Sequence, residues 1–300
     1  MKRAFWLAAS LALAGCEVTP TDRLQRAKDA VFEHRPDEAL VEYRRALDGL
    51  KDNPSAESQI LRARALKGAA DTYRLELRKV KEAVSVYREL LQQCPESTEA
   101  LESRIILADL LRIHYRDLRG AIDQLTAALA RNPPQGAELH YQVAKLYFQL
   151  GDYQQSELEA RKMAERFPTS PFVDDALFLH AQALHMMEPR RQEAAKAYAD
   201  VLARFPDSEL APHAAFEMGK LREEMGEPEK AIEAWVQALA THPDPVVVQQ
   251  AINRVRRRIA STTPRGIGER AVAFDKHLKR PPRTSLEAVG GSASEGDHGD

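Results

Sequence analysis

The feature that most constrains this chain is a spacing that occurs twice. Ala144, Tyr147, Gly151, Ser156, Ala160 and Pro168 are separated by the same intervals as Gly219, Arg222, Gly226, Ala231, Trp235 and Pro243. Around the first copy, residues 136–168 read as two short helices joined by a tight turn. Leu139, Val143, Ala144, Leu146 and Tyr147 share one helical face, Gly151-Asp152 interrupts the pattern, and Tyr153, Leu158, Ala160, Met163 and Ala164 resume it until Pro168. Such a pair is too small to bury its own apolar stripe, so it predicts stacking on copies of itself.

The two registers resemble the tetratricopeptide repeat, a helix–turn–helix unit of about 34 residues. Arg222 replaces the family's aromatic residue, and Ser156 replaces its alanine with another small side chain. The resemblance covers residues 22–243 and implies an all-α solenoid of helical hairpins, about six repeats long. Unit one starts near Thr21, read as a helix cap, with Ala27, Ala39, Tyr43, Ala46 and Leu47 in register. Unit two (about 56–95) carries Ala70, Tyr73, Ala83, Tyr87 and Leu91. Unit three (about 97–133) carries Ala108, Leu111, Ala121, Leu125 and Leu129. Units two and three each hold one extra residue near the turn, around 75–81 and 115–119. Unit four is the opening stretch, unit five spans about 170–206 and unit six about 208–243. Pro171 is placed to open the first helix of unit five. The closing prolines 95, 133, 168, 206 and 243 lie 38, 35, 38 and 37 residues apart, so the array is not strictly periodic.

Residues 244–260 read as a capping helix, with Val248, Ala251, Ile252, Val255 and Ile259 along one side. Arg254, Arg257 and Arg258 are expected to face outward with Arg256 on a flank: a solvated face, or one for an acidic partner or anionic headgroups. Residues 261–300 are rich in Pro, Gly, Ser and charge and are expected to be mostly disordered. Their basic part precedes an acidic part that contains Glu287, Glu295, Asp297 and Asp300.

The N-terminus carries an address. Lys2 and Arg3 precede an apolar run at 4–14 that is short for a permanent membrane span, and residues 1–15 read as a signal peptide. Leu13-Ala14-Gly15-Cys16 resembles the bacterial lipoprotein processing box, which implies acylation of Cys16 and durable anchoring by two or three chains. Residues 16–21 form a short tether, so the body is expected near the membrane. By the same resemblance, Glu17 where aspartate would imply inner-membrane retention implies the outer membrane, with the body facing the periplasm. The segments 166–178 (RFPTSPFVDDALF) and 204–216 (RFPDSELAPHAAF) resemble the repeats of the outer-membrane assembly lipoproteins of the BamD/YfiO type. Tol-Pal-associated periplasmic repeat proteins share similar phrases.

Chemistry is sparse. There is no phosphate loop, H-E-x-x-H motif, paired-cysteine metal motif or G-x-S-x-G elbow. His180 and His185 lack partners at metal-ligand spacing, and Cys94 before Pro95 reads as a buried small hydrophobe. A net charge of -2 makes no case for nucleic acid. No catalytic residue, cofactor, metal or small-molecule substrate is expected. In tetratricopeptide families the concave groove is lined by set positions of each first helix. Carried onto this register, they give Arg64, Lys67, Asp71 and Arg74 in unit two, then Glu102, Ile105, Asp109 and Arg112 in unit three. Unit four gives Glu138, Tyr141, Lys145 and Phe148, unit five Asp175, Phe178, Gln182 and His185, and unit six His213, Phe216, Lys220 and Glu223.

The groove implied by the resemblance is basic toward unit two and aromatic toward units four to six. Arg64, Lys67, Arg74 and Arg112 are placed to meet carboxylates. Tyr141, Phe148, Phe178 and Phe216, with Lys145, Gln182 and Lys220, are placed to take apolar anchors of an envelope protein or peptide segment. The expected role is a lipid-anchored interaction scaffold, in outer-membrane protein assembly by resemblance. Assembly of a pilus or secretion pore, coordination of cell-wall synthesis and a repeat-bearing cell-wall enzyme are the alternatives.

Overall fold

The computed structural model describes residues 18–262. Cys16, the signal segment and residues 263–300 of the expected tail lie outside the described residues. Among the described residues no strand occurs, and thirteen α-helices follow one another. They pair as α1 (Pro20–Phe32) with α2 (Pro36–Leu50), α3 (Ala56–Asp71) with α4 (Val80–Gln93), and α5 (Thr98–Leu110) with α6 (Leu118–Leu129). Then come α7 (Gly136–Gln149) with α8 (Tyr153–Arg166), α9 (Val173–His185) with α10 (Arg191–Arg204), and α11 (Ala211–Glu224) with α12 (Pro228–Leu239). The last helix, α13 (Pro245–Thr262), packs on α12. Each hairpin packs on the next, and the first helices of units one to three also touch one another, as do α7 and α9. This is the six-hairpin tetratricopeptide solenoid expected from the spacing.

What makes the hairpins stack is a column of small residues. On the second helices Ala39, Ala83, Ala121, Ser156, Ala194 and Ala231 are fully buried, one per unit. One turn further along each of these helices stands Tyr43, Tyr87, Leu125, Ala160, Tyr198 or Trp235, all buried. The matching first-helix column is Ala27, Ala70, Ala108, Ala144, Ala181 and Gly219, again all buried. Small side chains let the helix axes approach, and in every unit but the fourth, which has Ala160, a larger residue one turn on fills the space that remains. Unit six shows the trade directly. Trp235 is fully buried, and a Cβ added at Gly219 would lie 2.3 Å from its indole nitrogen. The largest residue of one column is thus matched by the smallest of the other.

The turns explain the extra residues. In units four and six the first helix ends at a glycine with φ of 78° (Gly151) or 75° (Gly226). The amide of the next residue closes back five positions, Asp152 to the Tyr147 carbonyl at 3.0 Å and Glu227 to that of Arg222 at 2.9 Å. In units two and three α3 and α5 instead run into a turn of π-helix, Thr72–Glu76 and Leu111–Tyr115. There the closing bond spans six positions, Lys79 to Tyr73 at 2.8 Å and Asp117 to Leu111 at 3.0 Å. The inserted residue is absorbed as a wider turn, which leaves the small-residue columns in register. The left-handed position is then held by Arg78 and Arg116, each with φ of 53°.

Several local expectations shift. The cap of α1 is Thr19 rather than Thr21: its hydroxyl accepts from the Asp22 amide at 3.2 Å, its own amide donates to the Asp22 carboxylate, and Pro20 takes the first helical position. Helix therefore begins inside the segment read as tether. Pro171 lies in a turn, and α9 opens at Val173. The last helix continues through Ser261 and Thr262, whose hydroxyls donate to carbonyls of its final turn. Cys94 is buried at the end of α4, with the same cap geometry as Phe167 and Phe205 at the ends of α8 and α10. Burial pushes its thiol pKa up, away from reactive thiolate chemistry.

Candidate functional site

The inner face formed by the first helices divides into two chemically different stretches. In units two and three the basic side chains are engaged within the chain. Lys67 reaches Asp71 at 2.9 Å and Glu102 at 3.2 Å, Arg64 reaches Glu99 at 3.5 Å, and Arg112 reaches Asp109 at 2.9 Å. Arg74, carried on the π turn, donates to the Tyr87 hydroxyl at 3.1 Å and to Asp71 at 3.3 Å. The Tyr87 hydroxyl donates in turn to Asp71. Burial, reinforced by the Asp71 carboxylate, pushes the Tyr87 phenol far above its ordinary range. The expected basic end of the groove is therefore a charge-balanced lattice, because the same first helices that supply the cations supply Asp71, Glu99, Glu102 and Asp109.

Units four and five differ. Tyr141, Lys145 and Phe148 from α7 meet Phe178, Leu179 and Gln182 from α9 around a concavity of about 290 Å³. Gln149, Asp175 and Leu210 complete its lining. Five of the eleven residues expected to contact a partner converge here, Tyr141, Lys145, Phe148, Phe178 and Gln182, together with a sixth groove position, Asp175. Helical spacing explains the convergence, since positions four and seven residues apart on α7 share a face, as do those on α9.

Tyr141 is the hinge of this site. Its hydroxyl donates to Asp175 at 3.0 Å and its ring stacks on Phe172, with centroids 6.0 Å apart. Burial first, then the nearby Asp175 charge, pushes its phenol well above the ordinary tyrosine range, so it stays a neutral donor. Lys145 Nζ stands 5.1 Å from the centre of the same ring and, among the described residues, has no carboxylate within ion-pair distance. Phe148 is braced edge-on by Tyr153 at 5.2 Å, and Phe178 packs beside the buried Tyr198 at 6.1 Å. The result is an apolar floor with fixed aromatic walls, one uncommitted cation and an amide on the rim.

Phe216 and Lys220 of unit six do not join it. Phe216 packs against His242 and Trp235, and Lys220 is held by Glu217 at 2.8 Å. Glu223, the last groove position, is taken by the cap: Arg254 reaches it at 2.6 Å and Arg258 at 3.1 Å. Arg254 and Arg258 were expected to face solvent, but half of the basic set on α13 ties the cap to unit six. The first-helix register missed Phe172 and Leu210, which come from inter-unit turns. It also missed Glu157, a buried acid on α8 that bonds Arg161 at 3.2 Å and both His180 and Arg190 at 3.3 Å. Its only sequence signal was a charge beside the small-residue column.

The sequence profile of the YfiO family, described as outer membrane lipoprotein, matches residues 109–259, just over half of the chain. The chain belongs to this family. The match takes in every residue of the concavity and ends within α13. No curated protein matches the sequence. Among solved structures, the C-terminal part of a tetratricopeptide-repeat protein from Cytophaga hutchinsonii is similar at 13% identity with a TM-score of 0.55, covering 80% of this chain and 90% of that one. The Naa15/Naa10 structure bound to HypK-THB is similar at 16% identity and a TM-score of 0.55, covering 81% of this chain and 34% of that one. A tetratricopeptide-repeat protein from Parabacteroides merdae aligns at 17% identity with a TM-score of 0.46, covering 79% and 98%. At these identities the likeness of the first two concerns the fold alone, and it agrees with the hairpin stack described above.

Proposed function

We propose that this YfiO-family chain is a lipid-anchored scaffold of the cell envelope that holds a segment of an envelope protein in the concavity of units four and five. The observation that carries the reading is the convergence of Tyr141, Phe148 and Phe178 around one apolar floor with Lys145 unpaired at its edge. The fitting partner is an extended or helical peptide segment with an aromatic or aliphatic anchor and a neighbouring carboxylate. The anchor is acylated Cys16, the residence is the outer membrane with the body toward the periplasm, and the process is assembly of outer-membrane proteins. Family membership supports this setting. No helix among the described residues is long and apolar enough to cross a membrane. A lipid would raise the local concentration of the groove at the surface where its partner is assembled.

Photocrosslinking from position 178 in cells, read by mass spectrometry, tests the partner. Barrel-assembly components are the expected products, and pilus or secretion components would replace this process with another. Substituting Tyr141→Ala with Phe148→Ala should cut capture by ~10-fold or more, since buried aromatic anchors each contribute about 1–2 kcal/mol. Lys145→Glu, on the exposed rim, should weaken capture without touching the packing. Unchanged capture in both variants would move the binding face elsewhere. Palmitate labelling that persists in Cys16→Ala would remove the tether.

A further inference from the structure

We propose that the hairpin-turn edge of units one to three is a second, independent surface that seats on anionic phospholipid. The first helices of these units run in the same direction and touch one another, so their C-terminal ends lie along one edge. His34, in the turn of unit one, stands 3.6 Å from Glu76 in the π turn of unit two, which ties neighbouring turns together. Along this edge large apolar side chains point into solvent: Phe32 at 85% exposure, Leu75 at 58%, Ile113 at 57% and Tyr115 at 47%.

Unit one contributes the apolar tip Phe32, its Arg35 being paired with Glu33 and Glu38, and in units two and three cations are interleaved with the tips. Arg78, Lys79, Lys81, Arg116 and Arg119 are all exposed, and among the described residues none has a carboxylate within ion-pair distance. The contrast with the inner face of the same units is sharp, where Arg64, Lys67, Arg74 and Arg112 are all paired. Arg78 and Arg116 also occupy the left-handed backbone position that glycine fills in units four and six. An L side chain is disfavoured there, so two arginines at equivalent turn tips point to a use for the charge.

Apolar tips set among unpaired cations match an interfacial layer, with acyl-chain boundary for the tips and phosphates for the cations. A protein partner would need a separate socket for each projecting tip on successive turns, whereas a fluid lipid surface accommodates all of them. The combination of apolar tips and unpaired cations is confined to units two and three. Leu150 and Met186 continue the apolar row, but the turn of unit four is Gly151-Asp152, and Arg190 and Arg191 of unit five are ion-paired. The half that carries the surface is thus the half nearest Cys16, and the two contacts together would fix the orientation of the solenoid on its membrane.

The test uses the full acylated chain in a Cys94→Ser background, with bimane attached at Ile113→Cys or, on the opposite edge, at Ile60→Cys. Vesicles of phosphatidylethanolamine and phosphatidylglycerol at three to one carry a nitroxide lipid near the headgroup. Quenching at position 113 should exceed that at position 60 by about three-fold or more, since only the first edge lies within headgroup reach. It should drop to the level of position 60 in 0.5 M salt, in phosphatidylcholine vesicles, and in Arg78→Glu with Arg116→Glu. Equal quenching at the two positions, high or low, overturns the proposal. So does shielding of position 113 by poly-glutamate but not by the anionic vesicles, which would assign the edge to an acidic protein. Neither outcome depends on the groove of units four and five.

Discussion

Units two and four are built on the same column of small residues, yet they solve their turns and use their inner faces in opposite ways. Unit four turns on Gly151, closes over five residues and presents Tyr141, Lys145 and Phe148 to a concavity. Unit two turns through π-helix, closes over six residues and spends the side chain of Arg74 on Asp71 and Tyr87. The packing columns are indifferent to this choice. The repeat fixes where helices lie, while turn length and the positions between the columns decide whether a unit offers a recognition surface or a self-satisfied lattice.

The largest effect is expected where the columns themselves are challenged. Gly219→Ala places a methyl group against a fully buried indole and should destabilise the C-terminal units by about 2–3 kcal/mol, read as a lower urea midpoint of the helical circular dichroism. Adding Trp235→Leu should recover part of the loss, and a neutral Gly219→Ala would break the idea that the two columns compensate. Next comes the lattice of unit two. Asp71→Asn removes the charge shared by Lys67, Arg74 and Tyr87 and turns one of its two acceptor oxygens into a donor; it should cost about 1–2 kcal/mol, whereas Tyr87→Phe should cost less. If Asp71→Asn instead left stability unchanged and strengthened partner capture, the basic end would be a binding surface after all. The smallest effect belongs to the turns. Arg116→Gly should stabilise unit three by about 1 kcal/mol and Gly151→Ala should destabilise unit four by a similar amount, measured by hydrogen exchange of the flanking helices. Equal responses of the same sign would show that the π turn relieves the strain at Arg116.

Most of the fold was legible because it depends on residue size at fixed intervals. Ala144, Gly151, Ser156 and Ala160 announce a close-packed hairpin, and the same intervals recur downstream. The extra residues in units two and three were also visible, but their π geometry was not, since it is set by how a helix end accommodates its neighbours. Of the candidate site, the aromatic half was readable because Tyr141, Lys145 and Phe148 share one helical face. The basic half was misleading. A list of groove positions counts Arg64, Lys67 and Arg74 as free; the pairs with Asp71 lie four and three residues away on the same helix and its turn, and only the pairing with Glu99 and Glu102 depends on distances between helices. The same blindness hid the salt bridges of Arg254 and Arg258 with Glu223.

The helix α13 has no equivalent against the outer side of unit one among the described residues. It buries Val248, Ala251, Ile252 and Val255 over unit six and clamps Glu223 with two arginines. In a stack whose stability is summed from neighbour to neighbour, a unit with one neighbour opens more easily than a unit sealed on both sides. Among the described residues unit six is therefore sealed on both sides, by α11 and α12 against unit five and by α13 on the other flank, and α13 must lift before its inner helices can open.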